Sequence, residues 1–191
     1  MSLIRIAGIA LGALAAILLG FLVLGFLLPS GWEVERSAQL DAPPEAVFPY
    51  LESAEAWTLW TPSPESGAEF FGPEAGEGSG REWDDDFYGQ GEFIITQVTP
   101  NQEVRYSVAV EGGAIQITGR MSLTPEGEAG TRIVWTESGD FGWNPLLGYV
   151  AGRMDELQGE QLEQSLRALQ ALVVEGEVFT PEEEDRPPQD G

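Results

Sequence analysis

Residues 104–123 read VRYSVAVEGGAIQITGRMSL, and the period of that stretch decides the fold. Val104, Tyr106, Val108 and Val110 alternate with Arg105, Ser107 and Ala109; after Gly112-Gly113, residues Ile115, Ile117, Gly119, Met121 and Leu123 keep the same period of two. Side chains alternate across a strand, so the stretch is two antiparallel strands joined at a glycine turn. The pattern spreads outward from there. Residues 92–99 are rich in branched and aromatic side chains, and Pro100-Asn101 turns them into 104–110. Shorter strands are expected at 68–71 and 80–85, and a further one at 131–137 with Ile133 and Trp135 on one face. Ahead of this meander, 33–40 reads as an opening strand ending at Asp41-Ala42-Pro43-Pro44. Asp41 is a candidate helix cap, and Val47, Phe48 and Leu51 share one side of a short helix over 45–52. Trp57 and Trp60, three apart, face the same way on a second short turn.

Beyond the strands the period changes. Asn144-Pro145 is a helix start, with a capping side chain and a proline in the first turn. From 146 to 174, Val150, Met154, Leu157, Leu162, Leu166, Leu169 and Val173 keep a helical stripe about 43 Å long. Gly148, Gly152 and Gly159 weaken its first half and permit close packing or a bend. Residues 175–191 are acidic and proline-rich, with almost nothing to bury, and read as a disordered tail.

Residues 6–28 are an unbroken apolar run flanked by a five-residue N-terminal cap, 1–5. At about 1.5 Å per residue the run reaches roughly 34 Å, enough to cross a bilayer core of ~30 Å. It is longer than a cleaved leader's apolar core and lacks a small-x-small site after it, so it reads as a single-pass transmembrane anchor. Arg5 on one side, against Glu33, Glu35 and Arg36 on the other, predicts a cytoplasmic N-terminus and a domain outside, periplasmic in a bacterium. Gly8, Gly12, Ala16 and Gly20 form a ridge of small residues suited to a homodimer through the anchor; small residues are also simply common in membrane helices. The linker, 29–31, is very short and holds the domain close to the membrane. Trp32 is either an interfacial anchor or the first core residue of its strand.

Composition narrows the chemistry. The formal net charge is −23, with 32 carboxylates and nine basic residues, all arginine. A nucleic acid is not an expected partner, because there is no basic patch. With no His, Cys or Lys, the chain offers no imidazole base, thiolate or Schiff-base amine, and no nitrogen or sulfur ligand set for zinc. No cofactor is implied. Glu82 with Asp84-Asp85-Asp86 lacks the spacing of a calcium loop, and a solvated turn is the plainer reading. Arg120, Arg132 and Arg153 suit a ligand carboxylate or, more plainly, pairing with surface carboxylates.

The order strand, two short helices, six-strand meander and long C-terminal helix resembles the helix-grip fold of the START-like SRPBCC superfamily, which includes the polyketide cyclase/dehydratase-like proteins. Val34-Glu35-Arg36-Ser37 followed by Ala42-Pro43-Pro44-Glu45-Ala46-Val47-Phe48 looks like the opening strand and "AP-x-x-x-VF" helix of that family. Trp57-x-x-Trp60-x-Pro62, Gly78-x-Gly80-x-x-Trp83 and Gly130-Thr131-Arg132-x-x-Trp135 continue the pattern, over 32–174. The resemblance implies an α+β domain whose curved antiparallel sheet grips the last helix around a cavity. Its walls are then expected from Trp83, Phe93, Ile95, Tyr106, Val108, Ile117, Met121 and Trp135, with Met154 and Leu157 from the helix. Tyr106, Gln97 or Arg120 would supply polar groups. The same residues would equally serve as a packed core, and no catalytic residue carries over from the family. Trp57 and Trp60 either lid the cavity or plug one end of the core, and Phe141-Gly142-Trp143 is either a second gate or packing.

Three functions follow. The first is a membrane-anchored domain binding a hydrophobic small molecule or lipid. The second is a cyclase, dehydratase or hydrolase using carboxylate, Tyr or Arg groups, which needs a buried carboxyl in the cavity; none is obvious in the strands read above. The third is a protein-interaction module with a filled core.

Overall fold

The computed structural model of the protein describes residues 3–64, 66–127 and 129–175. An apolar helix, α1 (Leu3–Leu27), precedes strand β1 (Gly31–Leu40) and a one-turn helix α2 (Pro44–Val47). Two 3₁₀ turns, Phe48–Tyr50 and Ala56–Leu59, lead into β2 (Glu69–Phe71), β3 (Gly80–Asp85), β4 (Gly89–Thr99), β5 (Glu103–Val110), β6 (Ile115–Glu126) and β7 (Gly130–Asp140). Helices α3 (Leu147–Ala151) and α4 (Met154–Glu175) close the described chain. The expected tail beyond Glu175 lies outside the described residues.

All seven strands form one antiparallel sheet in the order β1-β7-β6-β5-β4-β3-β2. The period-two pattern is used as its chemistry dictates: Val34, Leu40, Tyr106, Met121, Ile133 and Trp135 face inward and are buried. The β4–β5 turn runs through Asn101 at φ 59, a left-handed conformation that Asn tolerates better than most residues. Glycines on one strand repeatedly lie beneath an aromatic ring from the next. A β-carbon on Gly91 would meet Trp83, one on Gly119 would meet Tyr106, and one on Gly139 would meet Trp32. Trp32 is thereby a core residue, packed beside Phe141, and not an interfacial one.

Register also fixes which features share an end of the sheet. Gly31 and Gln116 both pair with Asp140, Gly91 with Val110, and Asp85 with Gly89. The start of β1, the end of β7 and the tips of the β3–β4 and β5–β6 hairpins therefore gather at the end where α1 joins the domain. The turns after β4 and β6 lie at the opposite end.

The C-terminal helix differs from the sequence expectation. It is broken at Gly152-Arg153 into α3 and α4, and Gly152 is the residue that interrupts the stripe. Asn144 does not cap α3, whose N-cap is Leu146 without a side-chain bond; its Oδ1 accepts the Leu146 N–H at 3.0 Å in the turn just ahead of the helix. Asp41 does not cap α2; its carboxylate accepts a bond from Gln170 on α4 at 3.2 Å. Arg36 on β1 ties α4 to the sheet, reaching Glu163 at 2.8 Å and Asp155 at 2.9 Å. Those bonds raise its pKa and lower that of Asp155. Gly159 leaves the space that the guanidinium fills.

Helix α1 is long and apolar enough over Ala7–Leu27 to cross a membrane, a property that anchors and signal sequences share. Its Gly8, Gly12 and Gly20 face open space. Its last turns pack on the start of α3. Gly25 lies under Pro145, Gly148 lies against Leu28, and the rings of Phe21 and Tyr149 stack at 4.3 Å. The Tyr149 hydroxyl donates to the Phe21 carbonyl at 2.7 Å.

Candidate ligand cavity

Between the inner face of the sheet and α4 lies a cavity of about 240 Å³. Trp83, Phe93, Tyr106, Val108, Ile117 and Trp135 are on its wall, as the alternation places them; Trp57, Arg81, Glu137, Gln158 and Leu162 join them. Four other candidates lie elsewhere. Ile95, Met121 and Met154 are buried in the packed core, Ile95 paired with Tyr106 and Met121 with Trp135 across the sheet. Leu157 is 54% exposed. It sits five residues before Leu162, hence about 140° around the helix from the buried face.

The cavity ends where the core fills. Trp57 packs against Trp60, Phe93, Tyr106 and Trp135 with ring centroids 4.6–5.7 Å apart. Its indole N–H donates to the Leu51 carbonyl, and that of Trp60 to the Tyr50 carbonyl. The tryptophan pair is thus a plug for the core, with Trp57 also forming part of the cavity wall. Tyr88, Val108, Val110 and Ile117 line its other end, where Tyr88 is 38% exposed. By the register above, that is the α1 end of the sheet.

At its inner end the cavity holds a polar relay that the sequence reading passed over. Trp135 donates its indole N–H to the Tyr106 oxygen at 2.7 Å, the Tyr106 hydroxyl donates to Glu137 Oε1, and Gln158 donates to Glu137 Oε2 at 2.7 Å. Gly119 makes this possible, because it pairs with both Tyr106 and Glu137 and lets the tyrosine ring lie across it. Glu137 is 6% exposed. Burial raises its carboxyl pKa above the usual range, and burial with the nearby carboxylate pushes the Tyr106 phenol well above 10. Both Glu137 oxygens accept a bond, so a proton on this carboxyl would be offered through a remaining lone pair. Such a group can donate a hydrogen bond to a ligand, or a proton in general-acid catalysis. The signal was present in the sequence: Glu137 stands two residues after Trp135, in the same alternation. Arg81 stands likewise two before Trp83.

Of the polar positions first suspected, Tyr106 is in the cavity, whereas Gln97 and the three arginines are not. Arg120 is 3.8 Å from Glu103, Arg153 is 3.0 Å from Glu156, and Arg132 reaches Ser37 at 3.4 Å. Asp85 organises its own turn, accepting the N–H groups of Phe87 and Tyr88 and two bonds from Ser66. Those bonds lower its pKa to about 2. Among the described residues no cluster of carboxylates is arranged to hold a metal. A wider depression of about 810 Å³ over β3 and β4 is open and lined by Glu69, Glu82, Asp84 and Glu92.

The comparisons agree with this architecture. A family model described as "Polyketide cyclase / dehydrase and lipid transport" matches residues 31–174. Among solved structures, norcoclaurine synthase from Thalictrum flavum, in complex with dopamine and hydroxybenzaldehyde, is 14% identical with a TM-score of 0.59, covering 82% of this chain and 94% of that one. A protein from Chromobacterium violaceum is 22% identical with a TM-score of 0.54, covering 74% and 96%. One from Mesorhizobium loti is 20% identical with a TM-score of 0.54, covering 75% and 98%. These likenesses are of fold. No curated protein matches the sequence.

Proposed function

The chain belongs to the polyketide cyclase/dehydrase and lipid transport family, and from that premise we propose that it is a membrane-anchored domain that binds a small, largely apolar molecule between its sheet and α4. The observation that carries this reading is the cavity of about 240 Å³ walled by Trp57, Phe93, Val108, Ile117 and Trp135, with the buried Glu137–Tyr106 pair at its inner end. An apolar wall with few polar groups is the usual make-up of a ligand site. A space of this size takes roughly eight waters' volume, or a ligand on the order of ten non-hydrogen atoms. That suits a ring system or a short acyl chain better than a whole diacyl lipid, and it favours a binder over a module with a filled core.

We assign α1 as the anchor, with the N-terminus cytoplasmic and the domain outside. The packing of Tyr149 on Phe21 supports a domain seated at the bilayer, as does the exposed Trp143 beside Phe26. The Tyr88 end of the cavity then faces the bilayer, a reservoir of apolar ligand. The glycine ridge of α1, open to its surroundings, suits self-association within the membrane. A second reading, an acid–base enzyme, draws on the raised pKa of Glu137.

The test is native mass spectrometry of the full-length protein released from membrane nanodiscs. A stoichiometric small-molecule adduct that is lost when Val108→Trp or Ile117→Trp fills the cavity is the expected result. A clean apo-protein that takes up nothing from a panel of small apolar compounds would overturn the reading. Turnover of the identified ligand, lost in Glu137→Gln while binding persists, would establish the enzyme.

A further inference from the structure

Arg81 is a buried charge with no counter-charge among the described residues. It faces inward from β3, paired across the sheet with Phe93, and is 7% exposed on the cavity wall. Its Nε has no hydrogen-bond partner, and its two terminal nitrogens reach only Ser63 Oγ and Thr61 Oγ1, each at 3.5 Å. That is the outer limit of a hydrogen bond. Among the described residues no carboxylate lies within ion-pair distance of it, although the chain carries 32. Glu137 is four strand spacings away on β7, about 19 Å along the sheet.

A guanidinium does not escape burial by losing its proton. Desolvation brings its pKa down only to about 10, so it stays cationic at neutral pH. What supports the charge is aromatic: its central carbon is 5.5 Å from the Phe93 ring centroid and 6.0 Å from that of Trp83. An unpaired buried cation is costly, and a fold gains nothing by keeping one that methionine would replace with better packing. The planar fork with free donors, held on two rings inside a cavity, matches the geometry of a carboxylate.

We propose that Arg81 is the anion seat of the cavity and that the ligand is a small amphipathic carboxylic acid. Its carboxylate meets the Arg81 fork, and its apolar body lies along Phe93, Val108 and Ile117 toward Glu137. The proposal rests on the ligand-binding reading above and adds the class of ligand. One arginine, with no lysine in the chain, suits a monoanion better than a phosphate dianion.

The test compares 3-phenylpropionate with its neutral isostere, 3-phenylpropanamide, by calorimetry and tryptophan quenching on the full-length protein in nanodiscs. The expected result is an acid that binds about ten- to hundredfold more tightly than the amide, a preference abolished in Arg81→Gln. Arg81→Met is expected to raise the Tm of the ligand-free protein, because it removes an uncompensated charge. Equal binding of acid and amide by the wild type, a preference that survives Arg81→Gln, or a fall in Tm for Arg81→Met would each overturn the proposal and leave the apolar cavity standing. Failure of both probes and of neutral apolar compounds to bind would overturn it together with the ligand-binding reading.

Discussion

Glu137 is where the chemistry of this chain concentrates, and its ionisation sets a sign for stability against pH. Its folded pKa lies above the ordinary value of 4.5, so between those two values the folded protein holds a proton that the unfolded chain has lost. By linkage, that contribution is favourable at and below the ordinary pKa and is lost as pH rises through the folded value. Glu137→Gln should therefore remove a fall in Tm that the wild type shows above about pH 4.5; parallel pH–Tm curves for the two proteins would refute the assignment. Both this residue and Arg81 were legible as positions, since each stands two residues from a tryptophan on the same strand face. Their burial was not. Charged side chains ordinarily turn to solvent, and alternation along one strand does not tell how far the strand continues inward-facing. Strand β7 runs on to Asp140, past Trp135, where the apolar pattern stops, and past the expected strand end at 137.

At the level of elements, glycine placement explains both what sequence period conveyed and what it missed. The meander was readable because β5, β6 and β7 each keep their alternation over at least five residues and the turns between β4, β5, β6 and β7 carry Gly, Pro or Asn. The long stripe after Asn144 was readable as helix but not as two helices. The break falls at Gly152-Arg153, and the piece before it, α3, packs on α1 where Gly25 and Gly148 permit close approach. Leu157 fell into the stripe because it is apolar and lies three residues from Met154, yet it lies off the face occupied by Leu162, Leu166 and Leu169. The contrast is measurable. Leu162→Ala should cost about 2–5 kcal/mol in denaturant unfolding, whereas Leu157→Ala should stay within about 0.5 kcal/mol. Equal losses would mean that α4 is rotated from the orientation described.

On the scale of the whole molecule, hairpin register places the Tyr88 end of the cavity, the exposed Phe87 and the exposed Trp143 at the end of the sheet that α1 joins. The chain has no cysteine, so a single introduced thiol reports one position. Trp143→Cys labelled with an environment-sensitive fluorophore should sit in an apolar, lipid-quenched environment in nanodiscs, and Glu126→Cys, at the far turn, in water. The reverse ordering would turn the domain over. That sheet and helix would enclose a space was implied by the resemblance to the helix-grip family. How much of that space stays empty was not, because it depends on the tryptophan plug, whose depth no period encodes. The bond from Tyr149 to the Phe21 carbonyl carries one more consequence. Phe21 lies seven residues, about 10 Å, inside the end of the apolar run, so the domain is bolted to its helix below the level of the linker. Under the membrane-anchored reading proposed above, extra residues inserted at Ser30 would add slack to the chain without adding reach for as long as that contact and the Phe21–Tyr149 stack hold.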